Sequence, residues 1–322
     1  MSDLSKPPLL IILGPTASGK TKLATQVARA VHGEILSADS RQIYRDMDIG
    51  TGKDLGEYFV NGHQIPYHLI NIREAGEQYN VSDFHHDFAN AYEQIAANGT
   101  IPIVCGGTGF YIYSLLKGHA FASVPVDEVL RKELEILPTP EILSRFNATE
   151  SAYHAFADIS TRKRLIRAVE IAEFLKNTPD QPFQPESRDI QYPAILFGLQ
   201  PLVEVRRERI SKRLQERLNH GLVEEVGKLL ENGLTPEQLI YYGLEYKYIT
   251  QYLTGESTYD FMITKLETEI HRYAKRQMTF FRKMEKDGLT INWLEDGWND
   301  DRKIQFITER YWEFKNNLAG IE

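Results

Sequence analysis

The run Gly14-Pro15-Thr16-Ala17-Ser18-Gly19-Lys20-Thr21 has the residue types and spacing of a phosphate-binding loop. Its glycines let successive backbone N–H groups turn inward, and a helix starting there adds the positive end of its dipole. Lys20 can reach the terminal phosphates, and the Thr21 hydroxyl can ligate magnesium. A second chemical feature follows at Ser37-Ala38-Asp39-Ser40, directly after the apolar stretch 34–36. A carboxylate at Asp39 suits a general base acting on whatever meets the bound phosphates. The same residue could serve as a more distant magnesium partner or as the N-cap of the following turn. Ser40, Arg41 and Gln42 suit recognition of a polar acceptor. The chain lacks the aspartate-ended strand that holds magnesium in ATP-driven motors, so the loop is expected to hold a polyphosphate without splitting a nucleotide.

These residues need elements to place them. Residues 9–13 are an apolar run after Pro7 and Pro8, as expected of a parallel strand buried on both faces. Leu23, Val27 and Ala30 recur at helical spacing, with Gly33 as the stop. The stretch 34–36 is expected to form a strand beside the first, bringing Asp39 to the phosphates. Residues 67–72 read as a strand, and Ser82 reads as the N-cap of a helix carrying Phe84, Phe88, Tyr92 and Ile95. Residues 101–105 and 194–199 complete the strand pattern. Strand, helix and strand in succession describe right-handed parallel units, hence an α/β fold with a phosphate-loop parallel sheet. Gly106-Gly107-Thr108-Gly109 leaves a strand at the carboxyl edge where such sheets bind ligands, or it is simply a tight strand-to-helix turn. Gly50-Thr51-Gly52-Lys53 lacks the preceding glycine and apolar strand and reads as a turn.

The expected organisation is a core over residues 1–120, a helical insertion over 121–188, and a return to the core over 189–322 by one strand and C-terminal helices. Pro179, Pro182, Pro185 and Pro193 punctuate the exit from the insertion. With 42% hydrophobic and 25% charged residues, the 322-residue chain has an ordinary globular composition. No stretch is apolar over a membrane-spanning length, and no secretory signal is evident, so cytoplasmic residence is the default. One cysteine, Cys105, excludes an internal disulfide and a cysteine-rich zinc site. The adjacent His85 and His86 diverge on a helix and are poor joint metal ligands.

A net charge of -8 argues mildly against nucleic acid, yet the basic residues are clustered. Arg162, Lys163, Arg164 and Arg167 share one predicted helix. Arg206, Arg207, Arg209, Lys212, Arg213 and Arg217 share another, and Arg272, Lys275, Arg276, Arg282 and Lys283 a third. An acidic protein can carry a local basic cleft. The tyrosines between Tyr241 and Tyr259 could stack on bases or pack as rings with wet hydroxyls.

Four blocks together resemble the tRNA dimethylallyltransferase family: GPTASGKT, SADSRQIYRDMDIGTGK from Ser37 to Lys53, GGTGFY from Gly106 to Tyr111, and RYAKRQMTFFR from Arg272 to Arg282. The resemblance implies that the loop, Gly14 with Thr16 to Thr21, holds the diphosphate of dimethylallyl diphosphate together with Mg²⁺, Thr21 being the metal-side residue. It implies that Asp39 takes a proton from the exocyclic amine of an adenine beside the anticodon. Thr108 would lie near the reacting groups, and Arg213, or else Arg209, would neutralise the departing diphosphate. Asp39, Ser40, Arg41 and Gln42, with Arg131, Lys163, Arg164 and Arg167, would contact the anticodon stem-loop of tRNA. A monomer, with no membrane partner, is the default. Family members usually carry Gly-Tyr-Lys-Glu where this chain has Glu245-Tyr246-Lys247-Tyr248, so no role is carried onto Tyr246 or Lys247. Competing readings are an adenylate isopentenyltransferase, a small-molecule kinase and a non-enzymatic RNA-binding module.

Overall fold

A computed structural model describes residues 6–118, 121, 124–155, 157–178 and 192–320. The chain divides into two compact units, residues 1–116 with 190–322 and residues 117–189. The first unit is built on β1 (Leu9–Leu13), β2 (Gly33–Ser37), β3 (Phe59–Val60), β4 (His63–Gln64), β5 (Tyr67–His68), β6 (Ile101–Gly106), β7 (Ala194–Leu199) and β8 (Ile291–Leu294). Six of them form one sheet in the order β5-β2-β6-β1-β7-β8, with every pairing parallel. The pair β3 and β4 is a separate antiparallel ribbon.

Strand β1 explains its own apolar run. Leu9, Ile11 and Leu13 enter the core on one face of the sheet, Leu10 and Ile12 the core on the other, and all are fully buried. Each such side chain contributes about 1.5–3 kcal/mol by leaving water. Helices cover both faces: α1 (Lys20–Val31), α2 (Val81–Ala97) and α3 (Gly109–Lys117) from the first half. The second unit contains α4 (Glu128–Ile136), α5 (Thr139–Ala148) and α6 (Arg162–Asn177), closed on a core of its own around Leu134, Ile142, Phe146 and Val169. Returning to the first unit, the chain forms α7 (Val203–Asn219), α8 (Leu222–Glu231), α9 (Pro236–Tyr241), α10 (Leu244–Leu253), α11 (Tyr259–Lys286) and α12 (Asp300–Ala319). Of the exit prolines, Pro179, Pro182 and Pro185 lie outside the described residues.

Several local expectations need correction. β2 does not lie beside β1; β6 runs between them, pairing Leu36 with Val104 on one side and Ile11 with Val104 on the other. All six residues of β6 are buried, and a strand apolar on both faces gains most from a central place with neighbours on both edges. Only Tyr67 and His68 of the expected strand 67–72 pair, because Leu69 and Asn71 adopt left-handed φ values of 65° and 57°. α2 is capped by Asn80 rather than Ser82: Asn80 accepts from the Ser82 and Asp83 N–H groups, while Asp83 reaches back to the Asn80 N–H. α1 stops at His32, itself left-handed at φ 55°, one residue before Gly33. No helix among the described residues is long and apolar enough to cross a membrane.

Candidate active site

The chain leaving β1, β2 and β7 meets a cleft of ≈ 1390 Å³, lined by residues 16–23, Asp39, Leu199 and parts of α7, α10 and α11. This is the carboxyl edge at which open parallel sheets bind ligands.

The loop after β1 is shaped by left-handed residues, Ala17 at φ 58° and Gly19 at φ 83°. Gly19 is the N-cap of α1 and offers no side chain to its first N–H groups, which are left for an anion. Lys20 is half-buried. Burial pushes its ammonium below the ordinary lysine value, with the Arg213 charge reinforcing this and Asp39 and Glu57 opposing. A desolvated cation beside open N–H groups gains most from a ligand carrying several negative charges. Ser18 Oγ is also buried, with no hydrogen-bond partner among the described residues. Gly14 lies beneath the loop, where a methyl group would come within 2.8 Å of Ser18 Oγ. The Thr21 hydroxyl contacts the Cys105 thiol, which burial pushes up to about 12.

Asp39 is held by the peptides on either side of it. The Ala38 N–H donates to the Cys105 carbonyl at 2.8 Å, and the Thr108 N–H donates to the Ala38 carbonyl at 3.2 Å. The Ser40 N–H donates to the Thr108 hydroxyl at 3.2 Å, and the Arg41 N–H to Asp39 Oδ1 at 3.0 Å. Gly106 permits this approach: any Cβ there would strike the Ala38 carbonyl. Thr108 therefore grips the peptide carrying Asp39 on both sides, and it is absent from the residues lining the cleft. Gln42, expected to face an acceptor, is 9% exposed and has its amide engaged, accepting from Ser37 Oγ and donating to the Gly52 carbonyl, both at 3.0 Å. Arg41 lies over the Tyr241 ring at 5.3 Å, an exposed tyrosine on the cleft wall.

Arg209 and Arg213 both line the cleft. Arg213 pairs with Asp54 and reaches the Gly52 carbonyl. Its turn, Gly50-Thr51-Gly52-Lys53, is a turn as expected, but a heavily fastened one. Glu225 accepts from the Asp48, Ile49 and Gly50 N–H groups at 2.7–3.0 Å and from the Tyr246 hydroxyl at 2.7 Å. Lys53 is 1% exposed and donates to the Tyr44 carbonyl, Asp48 and Asn71.

The second unit, by itself, gives its basic residues internal work. Arg131 holds the buried Glu170 through two hydrogen bonds, at 2.7 and 2.9 Å, and Arg167 adds a third at 3.0 Å. Arg167 also donates to the carbonyls of Val124 and Pro125. Arg164 pairs with Asp158 and bonds Ser160. Lys163 has an interaction of its own. A basic stripe on a helix does not distinguish such carboxylate-holding arginines from phosphate-facing ones, since both occupy the same spacing.

Sequence reasoning missed Gln277, in α11 and thus inside a block quoted for its resemblance. It is 8% exposed, accepts from the Thr16 N–H at 2.9 Å and donates to the Gly107 carbonyl at 2.8 Å. The Thr16 N–H is therefore turned to protein, not to phosphate. Gln277→Ala strands both backbone groups, and we expect it to lower stability by about 1–3 kcal/mol. Urea unfolding checks this; a midpoint unchanged from wild type would mean that water replaces the amide.

Fold and cleft together define an α/β protein with a six-stranded parallel sheet and a ligand-sized cleft at its carboxyl edge. A family model described as IPP transferase matches residues 42–284, and one described as isopentenyl transferase matches residues 7–67. Over 309 residues the chain is 48% identical to tRNA dimethylallyltransferase 2 of Bacteroides fragilis, covering 95% of this chain and 98% of that one. It is 47% identical to tRNA dimethylallyltransferase 2 of Porphyromonas gingivalis, covering 94% and 99%. The crystal structure of the full-length tRNA isopentenylpyrophosphate transferase from Bacillus halodurans has a TM-score of 0.71 at 28% identity, covering 98% of this chain and 99% of that one. A eukaryotic dimethylallyltransferase captured acting on tRNA has a TM-score of 0.69 at 26% identity, covering 94% and 80%. The chain belongs to the IPP transferase family.

Proposed function

We propose that the protein transfers the dimethylallyl group of dimethylallyl diphosphate to the exocyclic amine of an adenine next to the anticodon of tRNA, releasing diphosphate. The observation that carries this reading is one cleft holding both a desolvated phosphate cradle and a carboxylate, Asp39, fixed by its neighbours' peptides. As the amine nitrogen bonds to the allylic carbon, the carbon–oxygen bond to diphosphate breaks and Asp39 accepts the amine proton. Negative charge then gathers on diphosphate, where Lys20, the first-turn N–H groups of α1 and Arg213 receive it without reorganising. Thr108 acts through the peptide it holds. Ser40 and Arg41 face the acceptor nucleoside, the aromatic Tyr241 backing Arg41. A base inside a stem-loop has to leave its stack, at a cost of a few kcal/mol that contacts to the RNA offset. Lys163 and Arg164 of the second unit supply such contacts, with Arg131 and Arg167 keeping their helix in shape. We take the working unit to be a monomer in the cytoplasm, where tRNA is met.

Magnesium fits the cradle by donor type. The described residues contain no group of three or more His, Cys, Asp or Glu that could surround an ion. An ion here would be held by the Thr21 hydroxyl, water and the diphosphate itself, the habit of a hard cation that keeps oxygen ligands. The Cys105 thiol, kept protonated by burial, offers no competing soft ligand. When bound, the ion would offset part of the diphosphate charge.

The rival acceptor is a free nucleotide, which relatives named tRNA dimethylallyltransferase disfavour. Radiolabelled dimethylallyl diphosphate offered with tRNA or with AMP separates the two: we expect label on tRNA. Label on AMP alone would reverse the choice, and γ-phosphate transfer from ATP would point to a kinase.

A further inference from the structure

Arg213 and Arg217 stand one turn apart on α7, and both guanidinium groups press on Gly52, where an added Cβ would overlap the two side chains. Like charges at this spacing repel. Arg213 has Asp54 as its counter-charge. Arg217 is more enclosed, its side chain 15% exposed against 29% for Arg213. Burial pushes Arg217 below its ordinary value and the neighbouring Arg213 adds to this, while Glu245 and Asp54 oppose. Its ion-pair partner is Glu245, Nη1 to Oε1 3.8 Å. Glu245 stands in the first turn of α10, where the helix dipole favours a carboxylate, and it lines the same cleft. The next residue, Tyr246, packs on Gly50 and bonds Glu225, so α10 cannot shift without the turn that carries Gly52.

We infer that Glu245 is a positioning residue: by neutralising Arg217 it keeps two adjacent guanidinium groups together on the Gly52 turn and so holds Arg213 toward the diphosphate. This rests on the proposed role of Arg213 in receiving diphosphate. Without Glu245, Arg217 is an enclosed cation beside a second cation, and the more exposed Arg213 is the one free to swing away. Without Arg217, Arg213 keeps Asp54 and loses a repelling neighbour. Glu245, whose carboxyl burial already pushes up, can then take a proton. The two removals therefore have unequal effects, unlike the loss of an ordinary structural ion pair.

Glu245→Gln, Arg217→Met and the double variant test this by calorimetric affinity for inorganic diphosphate and by steady-state kinetics. Glu245→Gln should weaken diphosphate binding about tenfold and raise KM for the prenyl diphosphate by a similar factor, leaving KM for tRNA unchanged. Arg217→Met and the double variant should both stay within about threefold of wild type, the second change rescuing the first. Wild-type affinity in Glu245→Gln, or a double variant as weak as Glu245→Gln, would overturn the inference. Should Glu245→Gln fail to fold, the double variant against Arg217→Met decides: a loss beyond about threefold overturns it, and parity sustains it. A wild-type protein that binds diphosphate but transfers no prenyl group defeats the transferase reading alone, and the affinity comparison still stands.

Discussion

Replacing Asp39 by Asn should lower kcat for prenyl transfer to tRNA by about 10²–10⁴-fold, the usual worth of a positioned proton acceptor. Asn is the informative substitution because its side-chain oxygen can still accept from the Arg41 N–H, the bond that Asp39 Oδ1 makes at 3.0 Å. The peptides on either side remain fixed by Cys105 and Thr108, so the turn keeps its shape. What disappears is the negative charge and basicity with which the carboxylate would accept the amine proton. KM for dimethylallyl diphosphate should change little, since the phosphate cradle is untouched, and tRNA should bind as before in a filter assay. A kcat within threefold of wild type would remove Asp39 from the chemistry and leave it as a cap of its own turn. Equal losses in kcat and tRNA affinity would instead make it a binding residue.

The unequal legibility of this site has a physical origin. The loop after β1 was legible as a motif because its residues are contiguous, with Gly19 at one of its two left-handed positions, though Ala17 at the other was not foreseeable. The strands β1, β6 and β7 were legible because strands buried on both faces leave unbroken apolar runs. Strand order was not: nothing in residues 33–37 records that β6 will later occupy the place next to β1. Contacts between residues far apart in sequence were equally silent. Gln277 joins Thr16 and Gly107 across 261 and 170 positions, and a polar residue inside a basic helix looks like any other. The internal work of Arg131 and Arg167 was only partly readable. Arg167 pairs with Glu170 three residues on along its own helix, whereas the pairing of Arg131 with the same buried carboxylate is recognisable only once α4 and α6 are packed. Gln42 lines the cleft with Ser40 and Arg41, but the sequence does not record that its amide is engaged by Ser37 and Gly52.

Lys20→Met should be comparably damaging, and the pH dependence of the wild type should reveal why. The half-buried ammonium is held below the ordinary lysine value by desolvation. It carries its charge at a cost in the ligand-free protein, and that cost is present at pH values below the lowered value. Diphosphate reverses this, because anionic oxygens beside the ammonium favour its charged form. The complex therefore holds the proton to higher pH than the free protein does. Binding takes up a proton in the window between the two values, so affinity is greatest below that window and falls as pH rises through it. Calorimetry in two buffers of different ionisation enthalpy measures this uptake directly, and it should vanish in Lys20→Met. The variant should lose about 10²–10³-fold in kcat, or roughly 2.7–4 kcal/mol of transition-state stabilisation, the worth of one preorganised donor to a developing oxyanion. Its ligand-free form should be at least as stable to urea as wild type, since a half-buried, partly desolvated charge has been exchanged for an apolar chain of similar length. A variant that lost stability while keeping its diphosphate affinity would mean that Lys20 supports the loop instead of serving the leaving group.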